Sequence, residues 1–483
     1  MNLQQRSGTA VPVLVAMVLA VPMGFALTSM SLSAALGVGL LLVVLIVSLA
    51  SNEAALYLLI FSMLLGPQVV TGALGEGTTL GRGLTLRLDD VLLVIIGVAW
   101  LAKTALHKDI GLVFRTPLNH PMAVYSCAAV VATGLGVIAG RVSYLGGVFF
   151  TLKYIQYFVI YFMVVNNLQT RKQFGRFVWA LLTTAAAVSL VGILQIQSGR
   201  RVSAPFEGKD GEPNTFGGYL VLMLALVAGL YLTSQSARMK LGLGLLAGWL
   251  TLPLFFTLSR ASYLAIIPLA IALFAWSDRK RLLAAVFAVG LALAPFVAPQ
   301  AVIDRVRYTF EQPPEEGQRR IAGLRIDTSA SARLGSWEQV LLHDWLEHPL
   351  FGYGVTGYRF VDAQYPRTLA ETGLVGLLSF LWLQTSLFRQ ARAILRGTRD
   401  RLYRGAALGF LCGLVALTAH SLGTNTFIIV RIMEPFWFLA GMVIMIPQLE
   451  AGQAGSAMAP GLAPAGRRLP HGPPARSASP VWR

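Results

Sequence analysis

Residues 361–380 read VDAQYPRTLAETGLVGLLSF. Asp362, Gln364, Tyr365 and Arg367 form a polar, aromatic run that reaches Glu371, and an apolar helical pattern follows directly. This is the entrance of a membrane helix with chemistry set at its mouth. The same apolar signal recurs along the chain, in runs of about 18–20 residues that are each long enough to cross a bilayer as a helix. They fall at 10–28, 32–50, 54–72, 89–106, 121–139, 147–166, 176–196, 215–233, 240–257, 261–277, 282–298, 369–388, 405–421 and 428–447. Of the 483 residues, 55% are hydrophobic and 13% charged, about half the charged share of a soluble domain. That is too little polar surface to coat a globule in water. The expected fold is an all-α polytopic membrane protein with about 12–14 transmembrane helices and a large helical loop on its outer face. Its expected division is membrane helices over 1–298, a loop domain over 299–367, membrane helices over 368–448 and a disordered tail over 449–483.

The first segment follows MNLQQR and has no convincing small-residue cleavage site behind it, so it reads as an anchor. The tail, with APAGRRLPHGPPARSASPVWR, lacks the apolar content to form a core. Cys127 and Cys412 both lie in apolar runs and read as packing residues, not a disulfide. A net charge of +17 would suggest nucleic acid in a soluble protein; here its distribution follows the positive-inside rule. One set of alternate loops holds Lys103, Lys108, Arg115, Arg171, Lys172, Arg176, Arg238, Lys240, Arg279, Lys280, Arg281 and the stretch RQARAILRGTRDRLYR. Both termini are therefore expected in the cytoplasm.

The basic residues on the outer side are nearly all arginine, Lys209 excepted: Arg200 and Arg201, Arg260 in the short turn TLSRASYL, and Arg305, Arg307, Arg319, Arg320, Arg325, Arg333, Arg359 and Arg367 in or at the end of the long loop. A guanidinium fork fits phosphate oxygens, whereas an ammonium is a point charge. Two readings stand: an anion site at headgroup depth, or anchoring to lipid phosphates. Lys153, in an apolar run with Gln156 and Tyr157 one turn on, must face the bundle interior, as part of a site or of an interhelical bond. Arg431 and Glu434, three apart, read as a neutralising pair. His420 reads as structural, and Asp89 and Asp90 as caps of a helix start. Within the loop, Leu334, Trp337, Leu341 and Trp345 mark an amphipathic helix with Ser331 as cap, ended by Pro349, Gly352 and Gly354.

An arginine before PNTFGGYL, the turn TLSRASY, and R…W…HPLFGYG followed by LAETGLVGLL resemble the O-antigen ligase/polymerase superfamily (the WaaL and Wzy proteins) over about residues 190–445. The resemblance implies a bacterial inner-membrane glycosyltransferase of the GT-C type, working at the periplasmic face without a metal or other cofactor. The implied donor is a glycan on a polyprenyl (undecaprenyl) pyrophosphate. The acceptor is lipid A–core for a ligase or another lipid-linked unit for a polymerase, and a chain-length regulator is a candidate partner. Carried over by motif, Arg201 and Arg260 would grip the pyrophosphate, with Arg200 competing for the place of Arg201. Ligases end this loop with a His-Asn pair nine and eight positions before the glutamate; here Asp362 and Ala363 stand there. Variants with D-x-Q-Y resemble polysaccharide polymerases more than ligases. An ionised Asp362 can take the acceptor proton, while Arg201 and Arg260 share the leaving charge, so in-line attack would invert the anomeric centre. The bland alternative for Asp362 is a helix cap or a partner of Arg359 or Arg367. Gln364, Tyr365, Arg367 and Lys153 are candidate substrate contacts. A ligase and a lipid-linked glycan flippase remain the rival readings.

Overall fold

The computed structural model describes residues 32–66, 68–70, 85–106, 115–205, 211–297, 299–313, 318–321 and 324–457. The expected first segment, Lys108, Lys209 and the tail beyond 457 lie outside these residues. The described residues open with α1 (Leu32–Ala50) and α2 (Asn52–Leu65), a ribbon of β1 (Gln68–Val70) with β2 (Thr85–Arg87), and α3 (Leu88–Leu106). There follow α4 (Asn119–Ile138), α5 (Tyr144–Asn167), α6 (Arg171–Ile196), α7 (Pro213–Thr233), α8 (Ala237–Phe256), α9 (Arg260–Trp276) and α10 (Lys280–Val297). The loop holds α11 (Gln300–Glu311), a ribbon of β3 (Arg320–Ile321) with β4 (Leu324–Arg325), and α12 (Thr328–Leu342). The chain returns through α13 (Gln364–Gly397), α14 (Arg401–His420) and α15 (Val430–Ala457).

Each expected apolar segment within the described residues falls mainly on a helix, although 54–72 leaves its helix at Leu65 and enters β1, so the all-α polytopic class holds. Among the described residues, seven helices are long and apolar enough to cross a membrane: α4 to α8, α14 and α15. Two further apolar helices are shorter, α2 with 14 residues and α9 with 17, while α1 and α3 each run 19 residues. The expectation of about 12–14 spans rested on apolar run length alone; the seven are those among the described residues that meet both length and composition.

The bundle centres on α7 and α14. Gly405, Gly409 and Gly413 repeat every four residues and so line one face of α14. A Cβ at Gly409 would lie 2.6 Å from Leu226 Cα, and one at Gly229 would lie 2.3 Å from Gly405 O. This is small-xxx-small packing: in lipid, where burial between helices gains little, close backbone approach supplies the dispersion contact.

The loop and bundle meet on α13, which is broken at Gly373 (φ 65°, ψ −166°). A break in a helix strands backbone donors and acceptors, which must find partners elsewhere in the chain. Here the HPLFGYG stretch satisfies them. Leu374 N donates to Pro349 O (2.8 Å), Val375 N to Leu350 O (3.2 Å), Tyr353 N to Ala370 O (2.9 Å) and Gly354 N to Glu371 O (2.8 Å). Val340, Val361, Ala363, Leu369 and Ala370 close a small core over this joint, with Trp337 and Trp345 packed on it.

The expected loop helix is α12, but its cap is Asp327, whose side chain accepts from Ala330 N (2.8 Å). Ser331 lies inside the helix, accepting from Arg319 N (2.9 Å) and donating to Ile326 O (3.3 Å). The helix stops at Leu342, before Pro349, because Asp344–Glu347 winds into a tighter 3₁₀ turn.

Gly373→Ala tests the joint. Its Cβ would meet the Leu350 carbonyl carbon and oxygen at 2.4 Å, in a backbone region L side chains avoid. A loss of about 1–3 kcal/mol is expected, read as a lower unfolding temperature in detergent; an unchanged temperature would show that the joint is slack.

Candidate active site

The site is built on the turn between α8 and α9. Leu258 takes a positive φ of 50° there, and Ser259 caps α9 by accepting from Ser262 N (3.3 Å). Arg201 holds this turn from the side, with Nε donating to Thr257 O (3.0 Å) and Nη2 to Leu258 O (3.1 Å). Ser259 Oγ donates to Asn214 Oδ1 (2.7 Å), and Ser262 Oγ donates to Ser259 Oγ (2.8 Å). His420 Nε2 lies 3.0 Å from Ser262 Oγ. Since Ser262 spends its proton on Ser259, this ring nitrogen must be the donor, which fixes the Nε2–H tautomer. Nδ1 then accepts from the hydroxyls of Thr426 (2.8 Å) or Thr424 (3.1 Å). Gly217 leaves the room for Ser262, whose Oγ would lie 2.1 Å from a Cβ there. The PNTFGGYL and TLSRASY stretches are thus two halves of one polar joint.

Above this turn the arginines gather. Arg260 pairs with Asp327, whose side chain is 1% exposed. The bond ties the membrane bundle to the cap of α12. Arg333, on α12, donates to Asp362 Oδ2 through Nη2 (2.8 Å) and Nε (3.3 Å). Arg305, Arg333 and Arg201 all act electrostatically on Arg260. Burial, then the charge of Arg305, holds the Arg201 guanidinium below its ordinary value. Four guanidiniums therefore influence one another here, of which Arg260 pairs with Asp327 and Arg333 with Asp362, while Glu212 acts on Arg201. Arg200 is exposed beside them.

Asp362 is 28% exposed. Its ion-pair partner is Arg333, not Arg359 or Arg367, and Ala363 takes the cap position of α13. Arg359 instead bonds Tyr358 Oη (3.1 Å) and pairs with Asp344 (3.6 Å).

The neighbouring candidates face inward. Gln364 is 0% exposed; its side chain donates to Thr368 Oγ1 (3.1 Å) and accepts from Phe427 N (3.0 Å). Tyr365 Oη donates to Thr418 O (2.9 Å) and accepts from Ser421 Oγ (3.0 Å). Arg367 is buried and donates to Glu371 Oε1 (3.0 Å). Glu371 also accepts from Tyr154 Oη (3.0 Å) and Thr356 N (3.4 Å). These bonds lock the mouth of α13 to α5, α14 and the loop. Lys153 pairs with Asp90 and lies over the Phe149 ring. Asp90 therefore has an interhelical ion-pair partner, beyond the capping role read for it. Arg431 donates to the carbonyls of Leu64 (3.1 Å), Pro205 (2.5 Å) and Gly66 (3.2 Å). Among the described residues no three His, Cys, Asp or Glu side chains cluster to hold a metal.

Sequence reasoning did not place Arg305, Arg333 or Asp327 in the site. Arg333 is the arginine of the R…W…HPLFGYG pattern, and Asp327 stands directly before the helix start TSASA; both signals were present but pointed at packing.

Residues 245–381 match the family described as O-antigen ligase. The matched stretch runs from within α8 through the loop into α13, and so contains Arg260, Asp327, Arg333, Asp362, Glu371 and Gly373. The chain is thus a multi-pass membrane protein in which a domain at residues 245–381 is similar to the O-antigen ligase family. No curated protein matches.

Glu371→Leu leaves the buried Arg367 without its carboxylate. Removing one partner of a buried pair costs about 3–5 kcal/mol. The variant is expected to unfold at lower temperature and to yield less folded protein; wild-type stability would show that Arg367 finds another acceptor.

Proposed function

We propose that this membrane protein polymerises glycan repeat units carried on a polyprenyl pyrophosphate, at the periplasmic face of a bacterial inner membrane. The observation that carries the proposal is the cluster of Arg201, Arg260, Arg305 and Arg333 around two carboxylates, at the bundle–loop boundary. A pyrophosphate has the charge and the oxygen geometry to draw guanidiniums from such partners, and arginine forks bind phosphate in pairs.

On this reading the acceptor hydroxyl oxygen attacks the anomeric carbon as the bond from that carbon to the pyrophosphate oxygen breaks. The electrons of the broken bond leave with the pyrophosphate, which Arg260, Arg201 and Arg333 stabilise. The acceptor proton passes to Asp362, which is partly exposed and reaches the cluster through Arg333. Attack opposite the leaving group inverts the anomeric centre. Donor binding sets Asp362 free: when phosphate oxygens take the Arg333 fork, the carboxylate is released to act as base. Gln364, Tyr365 and Arg367 hold the mouth in shape, Lys153 pairs with Asp90 on α3, and none of the four is assigned a substrate contact.

A ligase is the second reading, favoured by the description of the matched family. The test uses purified protein in lipid with a synthetic polyprenyl-pyrophosphate repeat unit, with and without lipid A–core. Ladders from the donor alone are expected. Asp362→Asn should lower the rate by about 10²–10⁴-fold, the usual worth of a general base, with donor binding retained. Arg260→Ala should lose donor binding as well. Transfer only to lipid A–core would make the protein a ligase. Full activity in both variants, at normal protein level, would remove the arginine–carboxylate site from the mechanism.

A further inference from the structure

At the end of the bundle opposite the arginine cluster, three helices begin around one cavity. These are α6 at Arg171, α8 at Ala237 and α14 at Arg401, capped by Thr170, Ser236 and Asp400. The cavity has a volume of about 260 Å³. Arg171 and Arg401 stand at its polar rim, and Leu182, Leu230, Met239 and Leu243 form its apolar wall. Both arginines are exposed.

The charge balance at the rim favours an anion. Each helix N-terminus carries roughly half a positive charge, and two guanidiniums add to three such termini. The opposing charge is Asp400, one oxygen of which accepts from Arg171 Nε (2.7 Å) while the other caps Leu402 N (2.9 Å) and Tyr403 N (3.2 Å). Glu450 lies behind it, engaged with the backbone of Arg399 (3.2 Å) and Asp400 (3.3 Å). The guanidinium tip of Arg171 is not part of its bond to Asp400. The first turn of α8 adds Arg238 and Lys240 nearby.

The apolar wall excludes a free inorganic ion as the full occupant. A cavity of this size is below the ~300–1,000 Å³ that encloses a whole small ligand. It suits one segment of a chain whose remainder stays in the bilayer. A cationic rim over an apolar slot, at the end of membrane helices, matches a phosphate on an acyl chain.

We infer that this cavity binds one anionic glycerophospholipid, its phosphate at Arg401 and Arg171 and an acyl chain along α8. The test exchanges the detergent-solubilised protein into phosphatidylglycerol or phosphatidylcholine with the same acyl chains and counts retained lipids by native mass spectrometry. One phosphatidylglycerol is expected to stay bound, while phosphatidylcholine is lost. Arg401→Ala, at an exposed position, should weaken retention about fivefold, the worth of one basic residue at an anionic lipid surface. Met239→Trp should abolish retention by filling the slot with no change of charge. Arg176→Ala, which breaks the separate pair with Glu53 (3.0 Å), should retain the lipid. Equal retention of both lipids, or wild-type retention in Arg401→Ala, overturns the inference. So does displacement of phosphatidylglycerol by an equal concentration of inorganic phosphate, which would identify an ion site alone.

Discussion

The break in α13 at Gly373 is the constraint on which the rest of the structure depends. A helix interrupted in its interior leaves polar backbone groups that need other partners. Another stretch of backbone, held in register, meets them here. The Pro349–Gly354 stretch does so with four hydrogen bonds across the break. The loop is therefore not a flap attached by its two ends. It is stitched into the interior of α13. Asp362 and Arg333 inherit their placement from that stitch, since α12 and the start of α13 pack together over it. The Arg367–Glu371–Tyr154 bonds then tie the same joint to α5.

The second joint serves the arginines from below. His420, Ser262, Ser259 and Asn214 form one run of hydrogen bonds beneath the α8–α9 turn. Each hydroxyl in it has a defined donor role, so the turn has one geometry to adopt. Arg201 binds the turn itself, and Arg260 projects from it to the cap of the loop helix. Two motifs far apart in sequence are thus held at fixed separation by side chains that do no chemistry in the proposed reaction.

Much of the fold was legible in the sequence because membrane helices are written in run length, a local property. The joints were not, because they depend on partners far along the chain. Gly373 looks like one small residue in an apolar run until Pro349–Gly354 is laid against it. Asp362 was expected to pair with a nearby arginine, Arg359 or Arg367; it pairs with Arg333, 29 residues away. The nearer arginines already answer to Tyr358 and Asp344 or to Glu371. Ser331 and Asp327 are both good caps by residue type, and the choice between them was made by Arg319 and Ile326, which engage the serine hydroxyl. Arg260 stood out in the sequence because it sits in a short turn, and Arg201 because of the motif that follows it; the structure brings both to the α8–α9 turn. Arg333 escaped because a long basic loop offers many equivalent arginines, and only the folded chain distinguishes them.

The pairing of Arg260 with Asp327 and of Arg333 with Asp362 has a consequence for selectivity by valence. Under the proposed reading, each arginine already holds an internal monoanion, fixed in place at no translational cost. A single phosphate at a lipid headgroup must compete with that tethered carboxylate and gains little by displacing it. A diphosphate ester offers two adjacent charged groups, and displacing both carboxylates together involves the loss of only one ligand's freedom. A protein immersed in a sea of monophosphate lipids can in this way stay unoccupied until the scarcer, doubly phosphorylated carrier arrives.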